Sequence, residues 1–158
     1  MKSATVPLLR SISASVPIAI PPTQGERTIV RAKDVFSEIH QDFEVWKTNI
    51  PESPRHETRV GVFEISYDAR FNEIFRSSKR AFDQISLTQE QIIAFALTHR
   101  SWLSGRLYGT FFLFKVQKDF LVSRVTITRD ETLRISPQRL LDKWILSARD
   151  QHRIVLPL

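Results

Sequence analysis

YGTFFLFKVQKDFLVSRVTIT, residues 108–128, decides the fold, because here the apolar period switches from helical spacing to alternation. Tyr108 to Val116 and Phe120 to Thr128 read as two antiparallel strands joined by a tight turn at Gln117-Lys118-Asp119. Phe112, Phe114 and Val116 take one face of the first strand, and Phe111, Leu113 and Lys115 the other. Both faces are rich in apolar residues, so this strand is expected to be central and covered on both sides.

Working outward from the hairpin, Thr88 and Gln91 form a capping box ahead of the helical run QEQIIAFALTHRSWLS, with Gly105 as its C′ residue. Residues 76–87 read as a basic linker. Phe71, Ile74 and Phe75 share one face of a short helix capped by Asp68, and Thr58 to Ser66 reads as a strand. Ile50 to Pro54 is a loop. Asp34 to Thr48 carries Val35 or Phe36, Ile39, Phe43 and Trp46 at helical steps, which predicts a helix. Beyond the hairpin, Arg129-Asp130-Glu131 turns into a third strand, Thr132 to Ile135. Ser136 and Pro137 then look like the N-cap and first residue of a helix that buries Leu140, Leu141, Trp144, Ile145 and Ala148. The closing Arg153 to Leu158 reads as a strand that Pro157 would confine to a sheet edge.

These elements predict an α+β protein: an antiparallel meander of three to five strands packed by two or three helices. Residues 1–25, with Pro7, Pro17, Pro21 and Pro22 and no acidic residue, read as an extended arm preceding a single domain at 26–158. The arm is favoured as a packed or partly mobile segment of a cytoplasmic protein over a targeting sequence, since it holds only two basic residues and no compact apolar core.

Composition removes several chemistries. The chain of 158 residues has no cysteine, so disulfides, thiol nucleophiles and sulfur-ligated zinc are excluded. Four glycines leave no Gly-rich phosphate loop. No stretch is long and apolar enough for a membrane-spanning helix, so no membrane partner is expected. The four histidines (His40, His56, His99, His152) fall at no metal-ligand spacing, and neither metal nor cofactor is expected.

Net charge is +6, and residues 76–129 alone carry nine basic against three acidic side chains. A concentrated positive field attracts polyanions, although a basic surface also serves solubility alone. Arginines here mix with aromatics, and aromatic faces stack on bases while Arg and Lys meet phosphates. Arg76, Lys79, Arg80, Arg100, Arg106, Lys118 and Arg124 are the candidate phosphate contacts, and Trp102 and Tyr108 the candidate stacking residues. The competing reading of the strand phenylalanines is plain core.

Two local patterns point to hydrolysis. Ala96-Leu97-Thr98-His99-Arg100-Ser101 resembles the first helix of ribonuclease III domains. The acidic metal-binding helix that should follow is replaced by a strand with Asp119 as its sole carboxylate, so the likeness is taken as coincidental. His56-Glu57-Thr58 and His99-Arg100-Ser101 match the letters of two-histidine phosphoesterases, but the second falls in the predicted helix.

Residues 36–158 resemble an uncharacterised family of small bacterial hypothetical proteins. The likeness rests on Ile39-His40-x-Asp42-Phe43-x-x-Trp46, Leu87-Thr88-Gln89-x-Gln91-Ile92-Ile93, Trp102-Leu103, Tyr108-x-Thr110 through Val116, Trp144 and His152 through Pro157. No activity is attached to that family, so the resemblance implies neither substrate nor catalytic residues. The sequence expectation is therefore a non-enzymatic basic protein that binds RNA or DNA, alone or within a ribonucleoprotein. The alternatives are a protein-interaction module using residues 1–25 or the terminal strand, and a phosphodiester hydrolase using His99 with Ser101 or Asp119.

Overall fold

A computed structural model describes residues 5–158; residues 1–4, the start of the expected arm, lie outside the described residues. Among the described residues ten strands form: β1 Leu9–Ser11, β2 Ile18–Ile20, β3 Glu38–Ile39, β4 Thr58–Ile65, β5 Ala69–Arg70, β6 Thr110–Val116, β7 Asp119–Ile127, β8 Leu133–Arg139, β9 Ile145–Leu146 and β10 Arg153–Pro157. Four α-helices accompany them: α1 Asp42–Val45, α2 Phe71–Arg76, α3 Phe82–Ile85 and α4 Gln89–Thr98. No described helix is long and apolar enough to cross a membrane.

The class is α+β, but the sheet is larger than a three- to five-stranded meander. Eight strands run in the order β1-β4-β10-β6-β7-β8-β3, with β2 also on β4, and β5 pairs with β9 apart from it. The β6-β7-β8 segment is a meander, with Val116 facing Asp119 across the two-residue turn Gln117-Lys118. Gln117 takes a φ of 55°, the left-handed conformation that a tight turn demands. β10 departs from the meander, because it lies parallel to β6 on one side and antiparallel to β4 on the other.

Its central place corrects the expectation that Pro157 makes it an edge, and with it the terminal-edge docking site. Leu158 N–H donates to Arg59 and Arg153 N–H to Gly109, so odd-numbered residues of β10 aim their amides at β6. Pairing with β6 has ended at Val155 by the time the chain reaches Pro157, so its missing N–H leaves no acceptor of β6 unpaired.

β6 is covered on both faces. Phe112, Phe114 and Val116 join Ile92, Ile93, Phe95 and Ala96 of α4 in one apolar cluster, to which Ile18 and Ile20 of β2 also belong. Phe111 and Leu113 join Phe71, Ile74 and Phe75 of α2 and Ile85 of α3 in the other. The capping box forms: Thr88 Oγ1 accepts from Gln91 N–H at 3.2 Å, and Gln91 Oε1 from Thr88 N–H at 2.9 Å. α4 ends earlier than its apolar spacing predicts. The Thr98 hydroxyl turns back to the Ala94 carbonyl and His99 leaves helical geometry, so Gly105 is an open loop residue and not the C′ cap. The linker at 76–87 contains α3, and α2 is closed by the Glu73 carboxylate on Arg70 N–H while Asp68 accepts from Ala148 N–H.

Two predicted helices are absent. Over 34–48 the apolar residues still bury Phe36 and Phe43, but Ser37 and His40 give their N–H groups to Leu133 and Ile135. The open edge of β8 thus draws residues 38–39 into β3, and only α1 remains helical. Over 136–148, Leu133, Ile135 and Pro137 alternate inward, and strand pairing with β7 runs on to Arg139. Ile135 turns its carbonyl toward β3, so the bare nitrogen of Pro137 points to the same side, away from β7. Residues 140–144 are irregular, and Leu141, Trp144 and Ile145 are exposed, not a buried stripe.

Candidate functional site

The α2/α3 face of the sheet is covered only in part. Its apolar cluster reaches Val122 of β7 and takes no residue from β8. Directly opposed residues share a face, so Arg124 and Thr126 of β7 stand there beside Ser136 and Arg134 of β8, and Arg134 beside Glu38 of β3. The loop after α4 brings Arg106 and Leu107 alongside, and the β7–β8 connection adds Thr128 and Arg129. Together they line an open depression of about 460 Å³ holding four arginines and one carboxylate.

Arg124 is its innermost cation. The guanidinium lies 5.3 Å from the Trp144 ring centre and 5.9 Å from that of Phe111. Its Nε is buried and has no hydrogen-bond partner among the described residues. Burial first, and then the nearby Arg134 cation, push its pKa below the usual arginine value. Such a cation gains from a desolvated anion. Arg134 Nε lies 3.3 Å from Glu38 and Arg106 3.1 Å from Glu131, both at exposed side chains where pairing is weak.

His152 is buried near Arg124. Its Nδ1 accepts the Gly109 N–H at 2.9 Å, so the proton sits on Nε2, 3.5 Å from Asp150 Oδ2. Tyr108, Phe111 and Trp144 present edges to the ring at 5.5, 5.4 and 6.1 Å. Burial, and then Arg124, push its pKa below 6.5 against the pull of Asp150. Gly109 is obligatory in this arrangement: a Cβ there would lie 2.7 Å from Arg124 Nε.

The sign of the resulting pH dependence follows. Below pH 6.5 the unfolded chain takes up a proton that the folded ring resists, so this stability is full above 6.5 and is lost as pH falls. Denaturant unfolding from about pH 8 to about pH 5 should show wild type losing more than His152→Gln, by no more than about 1.4 kcal/mol per pH unit. Parallel curves would refute the shift. Glu52, whose pKa burial raises above 4.5 against the Gln89 N–H bond, acts with opposite sign in both proteins and so cancels from the difference.

The sequence-predicted cations divide between two ends of the sheet. Arg106 and Arg124 enter the depression, and Arg100 reaches the Glu131 carbonyl at its rim. Arg76 closes α2, Lys79 follows it, and Arg80 donates to the Pro157 carbonyl at the far end of β10. Lys118 occupies the β6–β7 turn, also away from the depression. Trp102 packs half-buried on the α4-side core, while Tyr108 rests against His152. Arg129 and Arg134 complete the depression and Trp144 stands beside its Arg124, and none of the three is among the sequence candidates.

Of the hydrolytic candidates, His99 is engaged structurally, whereas His56, Ser101 and Asp119 are exposed. His99 Nε2 lies 2.7 Å from the Ala19 carbonyl of β2 and its ring packs on Phe95. His56 is exposed in the loop before β4. Among the described residues no group of three or more His, Asp or Glu side chains could hold a metal ion. Compared with models of protein families, with curated proteins and with solved structures, the chain has no match.

Proposed function

We propose that this protein binds nucleic acid through its phosphates, at the depression between β3, β7, β8 and the loop at Arg106. The observation that carries the reading is the convergence of Arg106, Arg124, Arg129 and Arg134 on one concavity, with the buried Arg124 Nε unpaired. Thr126, Thr128 and Ser136 add hydroxyl donors of the kind that hold phosphate oxygens in register. A merely solubilising surface spreads its cations, and nothing in that role requires a half-buried arginine stacked on tryptophan.

Fluorescence anisotropy with labelled RNA and DNA strands, at about 50 and about 200 mM salt, tests it. Four phosphate contacts on a single strand predict a slope of log affinity on log salt of roughly −3. No binding at the lower salt, or binding indifferent to salt, removes the proposal.

A further inference from the structure

The geometry points to a single-stranded ligand, one base of which stacks on Trp144 while the adjoining phosphate meets Arg124. This inference rests on the phosphate-binding reading above. Trp144 lies in the irregular segment after β8 and keeps 37% of its surface exposed. The ring is nonetheless fixed, with Phe71, Phe111 and His152 against it at 5.8, 6.2 and 6.1 Å between centres. A large aromatic held in place before binding loses little freedom when a base covers it. Its neighbour Asp142 anchors the segment by accepting from Trp144 N–H at 3.2 Å.

Shape selects between single and double strands. Reading a duplex groove takes a helix or ribbon that protrudes into it. This site is the reverse, a notch in a sheet face whose innermost guanidinium lies 5.3 Å from the centre of an indole. Its volume, about 460 Å³, is at the small end of ligand pockets. Stacking needs a base withdrawn from its own stack, which single strands offer and duplexes withhold.

The test compares three labelled probes of about twelve nucleotides, within the usual site size. These are an oligothymidine strand, an abasic strand of equal phosphate count, and a duplex. Oligothymidine should bind about five-fold or more tightly than the abasic strand, since a stacked base contributes on that scale. Trp144→Ala should bring oligothymidine down to the affinity that the same variant has for the abasic strand, whereas Trp144→Phe retains most of the preference. Equal, salt-dependent binding of oligothymidine and abasic strand would overturn the stacking inference and leave phosphate binding intact. Tighter binding of the duplex would also overturn it. Failure of all three probes to bind at low salt would remove the phosphate reading itself. The comparison of probes on the unaltered protein stands even if Trp144→Ala fails to fold.

Discussion

Truncating Phe112 to alanine should lower the unfolding free energy by about 3–5 kcal/mol, a large share of the roughly 5–15 kcal/mol that a domain holds. Phe112 is fully buried and meets Phe95 of α4 edge-on at 5.3 Å between ring centres. It lies on a strand flanked by β10 and β7, so the backbone cannot close over the void. Equilibrium denaturation measures the loss directly, and a cost under about 1 kcal/mol would contradict a central strand with two covered faces. Phe111, on the opposite face, provides the contrast. Phe111→Ala should cost a similar amount and also loosen Arg124 and Trp144, which rest on that ring. Phe112→Ala should therefore leave the binding of the folded fraction unchanged, and Phe111→Ala should weaken it.

The elements legible in the sequence are those whose determinants are local. The β6–β7 hairpin follows from alternation interrupted by a tight turn, which the structure shortens to Gln117-Lys118, and α4 begins where Thr88 and Gln91 cap each other. The missed elements answer to distant partners. Asp34 to Thr48 has helical apolar spacing, yet the β8 edge takes the amides of Ser37 and His40, and no local pattern reports that acceptor. Ser136-Pro137 imitates a helix start equally well as a strand with its proline nitrogen turned from β7. That imitation conceals much of the site. Once residues 133–139 are a strand, Arg134 and Ser136 fall on the face of Arg124, and Trp144 is released from a helix core to an exposed segment. Arg106 and Arg124 were visible as part of a basic run, but a run cannot say which cations converge. The parallel pairing of β10 with β6 bridges some forty residues of sequence and leaves no periodic trace.

Localised and diffuse attraction make opposite forecasts for two variants of equal charge. Replacing Arg106, Arg124, Arg129 and Arg134 by glutamine removes four cations from the depression. Replacing Arg76, Lys79, Arg80 and Lys118 removes four from outside it, and either change takes the net charge from +6 to +2. If the whole-molecule field governs binding, both variants weaken alike. If the depression is the site, the first variant should lose about a hundred-fold or more in affinity for a single strand at low salt, with its salt slope falling toward zero. The second should keep the wild-type slope and lose only the modest steering contribution of distant charge. Thermal unfolding of each variant separates lost binding from lost structure. The depression variant should unfold near the wild-type temperature, because Arg106 and Arg134 engage only exposed carboxylates and Arg124 Nε has no hydrogen bond to lose. Equal weakening by the two variants would place the attraction in the overall field and dissolve the site.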